Sequence, residues 1–196
     1  PTGKTIMLAG QGKRGVQRRA ARLDGSLVEA SGIAIQRGEL VTLQVAGGQR
    51  GLKMVSPAVE DSPSTASRDT ASGKPIAAPA PDQPGATAIP SEQLGRWRLA
   101  GEMCDGKCLS GAMRPGTGLA HKACANLCLI GGAAPVFVTA APVAGSQFLL
   151  MGAADGGPLP DTMLDQTARL IELDGTLERR GDLLVFLIDP ATAKLL

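Results

Sequence analysis

The sequence predicts a mostly-β protein of the α+β class. The expected architecture is an OB-like small barrel with one short cysteine-bearing helix, plus a small N-terminal β-α-hairpin module. Three observations carry this. First, the 196 residues include 26 Gly and 14 Pro, which favours short strands, turns and linkers over helical bundles. Second, the chain contains an internal repeat: LVEASGIAIQRGELVTLQV (27–45) aligns without gaps to LIELDGTLERRGDLLVFLI (170–188). Gly32 matches Gly175, Arg37-Gly38 matches Arg180-Gly181, and Glu39-Leu40 matches Asp182-Leu183. Each copy reads as a strand with a mid-strand glycine, an Arg-Gly turn and a second strand, that is, a β-hairpin kinked at the glycine. Third, the C-terminal half reads as five strands with one helix among them, which suits a small barrel.

The elements follow in chain order. Residues 1–55 form the N-terminal module: a strand at 5–9, a short helix at 16–23 and the first repeat hairpin. Val16, Ala20 and Leu23 share the inner face of that helix. A unit of this size is too small to be comfortable alone, so it is expected to pack on the barrel or on a partner. Residues 56–94 hold half of the prolines (Pro57, Pro63, Pro75, Pro79, Pro81, Pro84 and Pro90), much Ala, Ser and Thr, and no Leu before Leu94. Such a segment buries too little apolar area to offset chain entropy and reads as a semi-extended linker. Residues 95–196 form the barrel unit. It has a strand at 96–103, a glycine-rich loop at 105–118, a helix at 119–130 and strands at 135–140 and 147–151. A helical turn at 161–166 and the second hairpin complete it.

The chemistry concentrates in one stretch. All four cysteines and the only histidine lie between positions 104 and 128, in the pattern C-x3-C-x12-H-x2-C-x3-C. His121, Cys124 and Cys128 fall on one helical face. Zinc and related sites take soft thiolates and imidazole converging from a loop and a helix. The ligand set is then Cys108, His121, Cys124 and Cys128, holding zinc or an iron–sulfur cluster, with Cys104 an alternative ligand or a disulfide partner. A disulfide framework is the competing reading. A loop-to-helix bridge is easy, whereas Cys124 to Cys128 across an intact helix is strained. A catalytic thiol is a third reading. Asp105 reads as a turn residue, or as a partner that orients His121.

Other motifs are weaker. GQGKRG (10–15) fits the dinucleotide glycine pattern, but the module is too short for a Rossmann half. Arg14 also stands where a Walker loop needs Ser or Thr, so a glycine-rich turn is the better reading. Lys4, Lys13, Arg14, Arg18, Arg19 and Arg22 all precede the first acid, Asp24. They read as a solvated face or as a contact for anionic lipid headgroups or an acidic subunit. Aromatics are scarce, with no Tyr, one Trp and three Phe, so nucleic-acid stacking is not expected. No Ser/His/Asp triad or paired carboxylate is readable, which leans away from an enzyme. No run is long enough for a membrane-spanning helix. The chain starts without Met, as a processed or truncated product does, and a signal or anchor upstream is compatible with it.

Residues 101–138, GEMCDGKCLSGAMRPGTGLAHKACANLCLIGGAAPVFV, resemble a family of uncharacterised small bacterial proteins, exported or membrane-anchored. Its pattern is roughly GExxDxKCxxGxMxPGxGxxHxxCAxxCxxGGxPP. The resemblance extends loosely through the RGDLLV hairpin. It implies Cys108, His121, Cys124 and Cys128 as the family set, with Cys104 an addition of this chain and Ala134 in place of the first Pro of PP. It further implies a periplasmic or membrane-anchored location and association with membrane electron-transfer machinery. The expectation is therefore a non-catalytic accessory subunit of a larger extracytoplasmic complex carrying a Cys/His metal or iron–sulfur site. The alternatives are a thiol- or metal-dependent redox enzyme on a small substrate and a disulfide-stapled binding module.

Overall fold

The computed structural model describes residues 4–55 and 91–196. Most of the expected linker, 56–90, lies outside the described residues. The class is mostly β within α+β, with several sheets and two α-helices among the described residues.

The N-terminal part runs β1 (Met7–Ala9), α1 (Gln17–Ala20, continued by a 3-10 turn Ala21–Leu23), β2 (Val28–Ala30), β3 (Gly32–Arg37), β4 (Leu40–Val45) and β5 (Leu52–Met54). Strand β4 lies between β1, which it pairs in parallel, and β3, which it pairs antiparallel. Val16 is buried under α1 with Val45 and Leu52, and Ala20 and Leu23 pack against them, as the helical spacing requires.

The two repeat copies keep the same register. Gly32 faces Val45 and Arg37 faces Leu40 in the first; Gly175 faces Ile188 and Arg180 faces Leu183 in the second. The glycines are required by close approach. A Cβ on Gly32 would run into the Gln44 carbonyl oxygen, and one on Gly175 would sit 2.5 Å from that of Leu187. The copies diverge upstream of the glycine. The expected first strand of the N-terminal hairpin breaks at Ser31, so β2 leaves to pair with β5. The matching strand in the second copy runs unbroken.

The C-terminal part contains β6 (Ser91–Asp105), α2 (Lys122–Ile130), β7 (Pro135–Val143), β8 (Ser146–Ala153), β9 (Leu170–Arg180) and β10 (Leu183–Leu195). These five strands close a barrel in the order β10-β8-β7-β6-β9. Only β8 and β10 pair in parallel; the other four contacts are antiparallel. Register shifts at Gln93/Arg96 and Val138/Val143 let the long strands bend around the closure. The interior is packed by Phe137 and Phe186, ring centroids 5.8 Å apart, with Leu149, Ile171, Leu173 and Ile188.

Three boundaries differ from expectation. Strand β6 begins at Ser91, so residues 91–94 belong to the barrel rather than to a linker: Ser91 faces Arg180 and Glu92 faces Arg179. The segment expected to be only a glycine-rich loop contains a π-helical turn at Cys108–Ala112. The expected helix at 119–130 opens with a 3-10 turn, Leu119–His121, before α2.

The N-terminal part is packed on the barrel. Met7 and the fully buried Leu40 share an apolar cluster with Cys104, Leu109 and Val136. Period-2 alternation along β6 explains the arrangement. Met103 points into the barrel core, and Cys104 points the opposite way, into the cluster beneath β1 and β4.

Candidate metal centre

The end of β6, the turn after it and α2 build the site. Strand β6 ends at Asp105, which is fully buried. Its Oδ1 accepts a hydrogen bond from the Cys108 backbone N–H at 2.8 Å, which shapes the turn as aspartate commonly does. Its Oδ2 lies 3.1 Å from Nε2 of His121, itself 3% exposed. The two roles read for Asp105 are thus filled together. One carboxylate fixes the backbone at Cys108 and the ring of His121.

Cys124 and Cys128 stand one turn apart on α2 and face Cys108 across the gap. The three sulfur atoms lie within 4.8 Å of one another, from two separate segments of chain. A second group, the Asp105 carboxylate, Cys108 Sγ and a ring nitrogen of His121, is equally tight and shares Cys108 with the first. His121 is therefore beside Cys108 and Asp105 rather than equidistant from all three thiols. Either group could hold a metal ion, and three thiols with an adjoining imidazole match the donor preferences of zinc.

Cys104 is not brought to the cluster. It is fully buried among Met7, Leu40, Leu109 and Val136. All four cysteines are free thiols, so the disulfide-stapled reading is corrected. For Cys104 the physical reason is the geometry of β6: period-2 alternation aims it away from the other three, into the cluster with Met7 and Leu40.

The electrostatics follow from burial. Desolvation pushes the Cys108 thiol up, and the adjacent Asp105 carboxylate adds to it. Burial pushes Cys128 up in the same way, and Cys104 too, through desolvation and then Glu102. Cys108, His121 and Asp105 also have the residue types of a nucleophile, base and orienting carboxylate. All three are buried, and a thiol raised by desolvation is a poor nucleophile. Two surface cavities of about 490 and 520 Å³ are lined by none of the five cluster residues.

Sequence reading missed two basic residues. Lys13, from the glycine-rich turn after β1, donates from Nζ to Cys124 Sγ at 2.8 Å, across 111 positions. That hydrogen bond, opposed by desolvation, holds its ammonium above the ordinary lysine range. Lys107, buried at 5% exposure, donates to the carbonyls of Gly10 and Gly12 at 2.8 and 2.7 Å. Nothing in the local pattern around either lysine signals these contacts, because both partners are remote in sequence.

Fold and site together define a mostly-β protein with a buried thiol–imidazole–carboxylate cluster of metal-ligand chemistry. Compared with known protein families, with curated proteins and with solved structures, the chain has no significant match.

Proposed function

We propose that the protein is a non-catalytic metal-binding subunit. Cys108, Cys124 and Cys128 hold zinc or an iron–sulfur cluster, and His121 is the fourth ligand, oriented by Asp105. The observation that carries this is the convergence of three free thiols from two segments onto one point, beside a buried Asp–His pair. A carboxylate bonded to one ring nitrogen fixes the tautomer and leaves the other nitrogen for the metal. The barrel is read here as OB-like, since its first strand pairs with the second and fourth and its third runs parallel to its fifth. It serves as a rigid mount.

The wider role proposed is that of an accessory subunit in an extracytoplasmic, membrane-associated electron-transfer complex. Its supports are the resemblance of 101–138 and the Pro/Ala-rich segment. Leu119, Leu127 and Ile130, all exposed around α2, offer an apolar face to a partner subunit. Lys4, Arg14, Arg18 and Arg22 are exposed and remain available to anionic headgroups. Arg19 is instead engaged with the Ala46 and Gly48 carbonyls.

Metal analysis of the purified chain with visible spectroscopy tests the reading. One zinc per chain supports a structural centre, and sulfur-to-iron charge-transfer bands support an electron carrier. A metal-free protein that takes up neither zinc nor iron overturns both. A second reading, a thiol redox enzyme on a small substrate, draws on the Lys13–Cys124 contact, because a neighbouring cation favours thiolate. Turnover of a small disulfide by the metal-free protein would favour it.

A further inference from the structure

Of the four proposed ligands, Cys108, Cys128 and His121 are 4, 2 and 3% exposed. Cys124 alone is partly open to solvent. The metal is therefore approached past Cys124, and Lys13 stands there, on the Gly10–Gly15 loop, with its ammonium on the sulfur.

That loop is fastened to the same two segments that supply the thiols. Lys107, next to Cys108, grips the loop through the carbonyls of Gly10 and Gly12. At the end of α2, Gly15 N–H donates to the Gly131 carbonyl at 2.7 Å, and Gln17 Nε2 donates to that of Gly132. The loop closes on itself through Gly10 N–H to the Arg14 carbonyl at 2.8 Å. The fit leaves no room for a side chain at Gly131, where a Cβ would run into the Lys13 carbonyl oxygen.

We propose that the Gly10–Gly15 loop is the outer wall of the metal site and that Lys13 is a positioning residue. Its ammonium on Cys124 Sγ shields the one solvent-facing ligand from electrophiles and so retains the metal. The inference rests on the metal-centre reading above. Three thiolates around a divalent ion leave one unit of excess negative charge, which one lysine ammonium neutralises. An N–H donor on a ligating sulfur also draws electron density from it, lowering its nucleophilicity, as outer hydrogen bonds tune ligands generally.

The test uses the zinc-loaded full chain and iodoacetamide, a neutral alkylating agent, with adducts mapped by mass spectrometry and zinc release followed by a chromogenic chelator. Lys13→Met should raise the alkylation rate at Cys124 about tenfold, roughly the effect of losing one hydrogen bond to a charged group, with zinc released in step. Lys13→Arg should stay close to wild type. Equal rates in Lys13→Met and wild type overturn the proposal. Equal acceleration at Cys108, Cys124 and Cys128 also overturns it, because the loop would then only hold the fold together. Failure of the wild-type chain to bind zinc sinks the metal-centre reading itself, and this inference with it. Zinc bound by both chains, with the same rates of Cys124 alkylation and zinc release, sinks this inference alone.

Discussion

Asp105 does two jobs with one carboxylate, and its replacement separates site from scaffold. Asp105→Asn keeps the shape but changes one oxygen to a donor, so it cannot accept from both the Cys108 N–H and the His121 ring. Zinc affinity should fall about 10–100-fold, read by chelator competition, with the barrel intact by circular dichroism. Cys104 gives the converse. Cys104→Ser leaves zinc stoichiometry unchanged but buries a hydroxyl without a partner beside Met7 and Leu40. That costs about 1–3 kcal/mol, measurable by denaturant titration. The buried thiols also set a pH dependence. Cys104, Cys108 and Cys128 are all pushed up by burial, so the folded chain keeps those protons to higher pH than the unfolded chain does. The metal-free protein should therefore lose stability as pH rises above the ordinary thiol range of about 8.5. Zinc affinity, which needs thiolates, should rise over the same interval. A zinc-free melting temperature that climbs from pH 7 to pH 10 would contradict this.

At the scale of elements, the two hairpins show what a repeat in sequence carries over into structure. Equivalent registers around Gly32 and Gly175 place both glycines against the carbonyl of an equivalent partner residue, Gln44 or Leu187. Gly175→Ala should lower stability by about 1–3 kcal/mol through overpacking, seen as a lower denaturant midpoint. The repeat was legible because local pattern and turn chemistry decide a hairpin. Its divergence at Ser31 was not legible, since whether β2 continues into β3 or leaves to pair with β5 depends on which edge lies open in the folded chain. Helix α2 was placed closely from its residue spacing and the glycines after it. The π-helical turn at Cys108–Ala112 was hidden in a segment whose glycines read as loop. Its backbone is held by the Asp105 side chain at the Cys108 N–H, and Lys107 just before it is anchored to Gly10, in another part of the chain.

For the whole molecule, the decisive contact is between the N-terminal part and the barrel. Leu40 is fully buried in a cluster shared with Leu109 and Val136, so the two parts should unfold together. Leu40→Ala should cost about 2–5 kcal/mol. It should shift the unfolding transition reported by Trp97, which lies on barrel strand β6. An unchanged Trp97 transition, with loss of only part of the circular dichroism signal, would show that the parts unfold separately.

The sequence by itself determined the mostly-β class, the two hairpins, the helix carrying Cys124 and Cys128, and the confinement of all thiol and imidazole chemistry to 104–128. Each is a local matter of periodicity, turn residues and spacing along the chain. Only the tertiary structure decided that Cys104 leaves the cluster, that Asp105 joins it, and that Lys13 and Lys107 close it from the other side. Those outcomes depend on which face of β6 meets β1 and β4 and on where the Gly10–Gly15 loop comes to rest. Contacts between residues some hundred positions apart are set by packing and charge compensation, which leave no periodic trace along the chain.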